Sequence, residues 1–161
     1  MMDGTGYEWA RTKREYARAY FVHIRGLKLR SRSLADQVDE LRDSADGLGA
    51  VDYSRVQVSA SASPDAVPNA VAAIQAAVAD YASTLAEWAA ECERAAAVLD
   101  GIDPAQAHAI TRHYLQGWSR EETAAEMCYS DRNVGYILEA GLEAAYDRLP
   151  AEWRLPRHPA L

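Results

Sequence analysis

The sequence predicts an all-α protein, a long antiparallel, coiled-coil-like helical hairpin followed by a small three-helix helix-turn-helix domain. Apolar residues repeat at alternating spacings of four and three along two long runs, the period of a helix that packs on another helix. The one long stretch rich in Gly, Ser and β-branched residues is GLGAVDYSRVQVSASASP, residues 47–64. Elsewhere the alternation and turn punctuation of strands are missing.

Residues 1–8 read as a flexible N-terminus and residues 9–102 as the hairpin, with a mobile loop at 47–66. The first seam runs through Tyr20, Ile24, Leu27, Ser31, Leu34, Val38, Leu41, Ala45 and Leu48, with Ser31 its one polar member. The second runs through Val67, Val71, Ile74, Val78, Tyr81, Leu85, Trp88, Cys92, Ala95, Leu99 and Ile102 without a break. Pro68 suits the first turn of that helix, and Gly101 with Pro104 bracket its end. At about 1.5 Å per residue the second helix is about 50 Å long. The loop exceeds the usual connection length, with YSRVQV as its one ordered candidate. Alone, such a hairpin is a spacer or a dimerisation element. The alanine flank of the second helix (Ala76, Ala82, Ala89, Ala96) permits close approach by another helix.

The hairpin does not explain the basic residues between Arg11 and Arg32. Arg11, Arg14, Arg18, Arg25, Lys28 and Arg32 fall at spacings of three, four and seven, on one face spanning roughly 30 Å of helix. Heptad positions make pairing with the second helix's acids poor, Arg30 with Glu91 excepted. A solvated face ranks first, contact with DNA phosphates second and an acidic protein partner third.

Residues 103–149 read as the helix-turn-helix domain. Asp103 is an N-cap with Pro104 in the first turn, and Gly117 stops that helix. Ser119 with Glu122 forms the S-x-x-E capping box of a helix only two to three turns long. Ser130 caps the next helix, whose buried side is Val134, Ile137 or Leu138, Gly141, Leu142, Ala145 and Leu149. Its outward side is Asp131, Arg132, Asn133, Gly135, Tyr136 and Glu139. A short helix, a three-residue turn and an amphipathic helix match the plan in which the last helix enters the major groove of double-stranded DNA. Arg132, Asn133 and Tyr136 are then base-facing, because Arg grips guanine and Asn grips adenine bidentately. Ser119, Arg120 and Ser130 face the DNA backbone.

The stretch HYLQGWSREETAAEMCYSDRNVGYILEAGLEAAYDRL resembles the sigma-factor region-four type of helix-turn-helix, as used by phage-associated late transcription regulators of the ArpU and RinA sort. The hairpin with its Ser-rich loop resembles members of that group too. The resemblance implies a sequence-specific DNA-binding transcriptional regulator of prophage or mobile-element type. Cys128 stands where the turn of that group usually has Gly, a position that tends to need a left-handed backbone, so that a Cys there costs about 1 kcal/mol or forces a slightly different turn. Gly135 and Gly141 each weaken the last helix by about 1 kcal/mol. Tyr136 and Glu139 replace residues that are often Arg or Lys. Residues 104–148 hold four arginines (112, 120, 132, 148) against seven acids (121, 122, 126, 131, 139, 143, 147). The net charge of −7 likewise demands locally clustered charge for any nucleic-acid contact.

Other chemistry is not legible. His108 and His113 lack the surroundings of a metal site, so no metal and no cofactor is expected. Without a Gly-rich phosphate loop, nucleophile elbow or carboxylate pair, the reading is not an enzyme. No apolar run approaches the roughly 20 residues of a membrane span, and two distant cysteines, Cys92 and Cys128, fit a cytoplasmic protein with reduced thiols. Trp118 and Trp153 read as packing anchors, Trp153 within a C-terminal tail (150–161) that could dock on a partner. The expected partners are double-stranded DNA, RNA polymerase and a second copy in a homodimer. The rival is a non-enzymatic helical interaction protein whose degenerate helix-turn-helix binds RNA polymerase or a phage component.

Overall fold

The computed structural model describes residues 4–49 and 65–155, all of whose regular structure is helical. The helices are α1 (Gly4–Gly49), α2 (Ala66–Leu99), α3 (Pro104–Ile110), α4 (Arg120–Met127) and α5 (Asp131–Tyr146). Thr111–Leu115 continue α3 as a π-helical turn, and Ala151–Trp153 form a short 3₁₀ turn. The chain divides into two compact units, Met1–Gly26 with Trp88–Leu161, and Leu27–Glu87.

The first unit is built on one apolar core. Ala17, Tyr20, Phe21 and Ile24 of α1 join Ala95 and Val98 of α2, and Ala109, Ile110, Ala124, Val134, Leu138, Leu142, Ala145, Tyr146 and Leu149 complete it. The start of the chain, expected to be flexible over 1–8, is helical from Gly4. The reason is aromatic packing. Trp9 meets Tyr146 edge-on with ring centroids 5.7 Å apart, and Lys13 lies over both rings at 5.6 and 5.7 Å. The tail is also anchored. Trp153 packs against Tyr20 at 5.5 Å and His23 at 5.0 Å, and Leu155 N–H donates to the Tyr146 hydroxyl at 3.1 Å. So Trp153 docks on its own chain, while residues 156–161 lie outside the described residues.

In the second unit, α1 buries Leu27, Ser31 and Val38, as its seam predicts. On α2 the prediction is off by a rotation. The buried positions are Ala77 and Thr84, whereas Val67, Val71, Val78 and Leu85 are 62%, 47%, 36% and 37% exposed. At 3.6 residues per turn the two sets lie about a quarter turn apart. Small side chains permit the closest approach, so the stripe of Ala77 and Thr84 turns inward and the branched residues stay out. Both ends of the loop expected at 47–66 belong to helices; its centre, YSRVQV included, lies outside the described residues.

Candidate nucleic-acid interface

Each end of the C-terminal helices is held by the capping chemistry its residues carry. The Asp103 carboxylate accepts from Ala105 N–H at 3.0 Å and Gln106 N–H at 3.3 Å. The π turn closes with Gln116 N–H donating to the Thr111 carbonyl at 2.9 Å, and Gly117 ends it at φ 81°. Ser119 Oγ accepts from Glu122 N–H at 3.0 Å, and Ser119 N–H donates back to Glu122 Oε2 at 2.7 Å. The Ser119 N–H first, and the Ser119 hydroxyl after it, hold the Glu122 carboxyl below its usual pKa.

The turn between α4 and α5 is Cys128, Tyr129 and Ser130. Cys128 adopts φ 58°, ψ 36°, so of the two alternatives the turn keeps the left-handed conformation rather than a different path. Tyr129 N–H reaches the Ala124 carbonyl at 3.0 Å and Cys128 N–H the Ala125 carbonyl at 3.3 Å, satisfying the last carbonyls of α4. Ser130 Oγ then accepts from Asn133 N–H at 3.1 Å and starts α5. Val134, Leu138, Gly141, Leu142, Ala145 and Tyr146 of α5 are buried, which selects Leu138 over the half-buried Ile137. α3, α4 and α5 thus pack as one trihelical group around Ile110, Thr123 and Ala124.

The sequence-predicted base-facing residues Arg132, Asn133 and Tyr136 are all exposed. They occupy adjacent positions on the first two turns of α5. Arg132 Nε donates to the Tyr136 hydroxyl at 3.0 Å, with the guanidinium 5.7 Å from that ring's centroid. Nε bonds a neutral hydroxyl, and among the described residues no carboxylate pairs with Arg132, so its charge is not cancelled there. No family model, curated protein or solved structure matches this chain.

The backbone-facing set is arranged differently from the expectation. Arg120 grips Asp131 bidentately, Nε to Oδ1 at 2.7 Å and Nη2 to Oδ2 at 2.5 Å. The Arg120 guanidinium in turn holds the Asp131 carboxyl below its usual range. The pair ties the first residue of α4 to the first residue of α5, so Arg120 is a clamp inside the motif before it is a contact outside it. Ser119 and Ser130 each spend an oxygen lone pair on capping, and the Ser119 hydroxyl also bonds the Glu122 carboxylate. Arg112, stacked 4.6 Å over Trp118, pairs with Glu126 at 2.6 Å. Glu121 and Glu139 stand exposed on the same motif.

Members of the basic stripe have partners too. Arg14 pairs with Glu143 at 2.5 Å and the neighbouring Lys13 with Asp147 at 3.4 Å. Arg11 pairs with Glu15, Arg18 donates to the Tyr114 hydroxyl at 3.3 Å, and Arg25 lies over Gly117, where a Cβ would meet its Nη2 at 2.6 Å. Of the six, Arg11, Arg18, Arg25 and Arg32 are exposed, Arg14 is half-buried against α5, and Lys28 is half-buried in the other unit, so the stripe is chiefly a solvated face with Arg14 docked on α5. Glu91 pairs with Arg94 of its own helix at 2.8 Å. The Arg120–Asp131 and Arg14–Glu143 pairs, 11 and 129 residues apart, have no periodic signal in the chain. The Arg132–Tyr136 contact, four residues apart on one helix, does. Among the described residues there is no cluster of metal-ligating side chains and no helix long and apolar enough to cross a membrane.

Proposed function

We propose that α4, the Cys128–Ser130 turn and α5 act as a helix-turn-helix that reads double-stranded DNA, in a cytoplasmic transcriptional regulator of prophage or mobile-element type. The observation that carries this reading is the charge of Arg132, without a carboxylate partner among the described residues and exposed beside Asn133 and Tyr136 on the opening turns of a capped helix. Arg132 meets guanine and Asn133 adenine in the major groove, with the hydroxyl of Ser130 donating to a phosphate oxygen. Arg112 and Arg120 being paired, one trihelical group offers few phosphate contacts. The reading therefore includes α1 and α2 as an antiparallel hairpin and a homodimer on two spaced half-sites, with RNA polymerase as the further partner.

Binding to a labelled random duplex across a salt series, followed by selection from a randomised DNA pool, tests it. The expected slope of log K against log salt is about −0.9 per neutralised phosphate. Selection should enrich a motif that is lost in Arg132→Ala/Asn133→Ala at unchanged thermal stability. Absence of binding at low salt refutes the reading. A second reading, a protein-binding module for RNA polymerase or a phage component, is favoured by exposed Glu121 and Glu139 on the same motif. It predicts capture of a basic protein surface without DNA.

A further inference from the structure

We propose that the exposed apolar stripe of α2 is the surface on which a second copy of this chain docks. Val67, Val71, Val78 and Leu85 are 62%, 47%, 36% and 37% exposed. Their steps of four, seven and seven place them on one line about 27 Å long. Half-buried Ile74 and Tyr81 border that line. Scattered apolar residues on a surface need no explanation, but a continuous line of branched ones marks a contact. Its heptad spacing is matched by a helix of the same spacing, and a two-fold axis presents each copy with the other's α2.

Charge selects the same occupant. From Ala66 to Ala79, α2 carries no charged residue; Asp80 and Glu87 follow, and at 3.6 residues per turn both lie on the opposite side of the helix from the stripe. Two copies of a chain with net charge −7 meet here without opposing like charges. A nucleic acid or a strongly charged protein finds nothing complementary on this line. Five turns of one helix fall short of the ~800 Å² per partner of a standard interface, so the dimer is weak and concentration-dependent. The proposal deepens the homodimer of the reading above and is independent of its DNA contact.

Sedimentation equilibrium of the full chain, without DNA and over a concentration series, tests it. Wild type should rise toward twice the chain mass. Val71→Glu/Val78→Glu should stay at one chain mass with unchanged helical circular dichroism, while Ala76→Glu/Ser83→Glu, on the far side of α2, should dimerise as wild type does. The milder Val71→Ala/Val78→Ala, which keeps the helix, should weaken association about tenfold or more. A wild type that stays monomeric at every concentration overturns the proposal. So does a stripe variant that dimerises like wild type, or an unchanged constant in the alanine variant. Monomeric wild type together with lost helicity in the glutamate variant would assign the stripe to residues 50–64 of the same chain, which also overturns it.

Discussion

Replacing two glycines of one helix by the same residue should change stability unequally, with a gain at only one of them. Gly135 and Gly141 both lie within α5, and on helix propensity alone Ala at either should gain about 1 kcal/mol. A Cβ at position 135 meets Arg120 Nη1 at 3.5 Å, an ordinary contact with the end of a flexible side chain. A Cβ at 141 meets Gln106 Cβ and Ile110 Cδ1 at 3.0 Å each. Ile110 is fully buried and Gln106 Cβ is fixed to the α3 backbone, so neither gives way freely. Overpacking of this kind costs about 1–3 kcal/mol. Gly135→Ala is therefore stabilising by about 1 kcal/mol, and Gly141→Ala ranges from neutral to about 2 kcal/mol destabilising. The propensity gain cancels in the comparison, leaving a difference of about 1–3 kcal/mol. Urea unfolding followed by tryptophan fluorescence suits the measurement, because Trp9, Trp88, Trp118 and Trp153 all belong to the unit containing α5. Equal stabilisation by both substitutions would refute the close approach of α3 and α5 at Gly141.

Three more outcomes follow from the same contacts. Cys128→Gly should stabilise by up to about 1 kcal/mol in urea unfolding, because φ 58° is strained for cysteine and open to glycine. Burial, with the Glu91 carboxylate nearby, pushes the Tyr20 phenol from 10.0 up to about 12. A phenol raised on folding contributes stability that is whole below pH 10 and lost as pH rises towards 12. The loss is on the order of 2–3 kcal/mol and should vanish in Tyr20→Phe. A double-mutant cycle on Arg14 and Glu143, read by thermal melts, should give a coupling of about 0.5–1 kcal/mol, whereas a solvated Arg14 would give none.

Local chemistry made much of the trihelical group legible in advance. Asp103, Ser119 with Glu122, and Ser130 cap the helices they were read to cap, since a cap is settled within three residues. The buried side of α5 follows likewise from a 3.6-residue period. The helical start at Gly4 was missed because its cause, Tyr146, lies more than 130 residues away.

The sequence by itself determined the helical class, the ends of the C-terminal helices and the placement of Arg132, Asn133 and Tyr136 on one exposed surface. Tertiary structure decided what particular charges do: Arg120 closes on Asp131, and Arg14 leaves the otherwise exposed basic stripe to pair with Glu143. It also decided which side of α2 turns inward, Ala77 and Thr84 rather than the heptad line of valines. The physical reason is common to both. Periodicity states which side chains share a face of one helix, while the neighbour that covers that face, or neutralises its charge, is set by close packing between segments far apart in the chain.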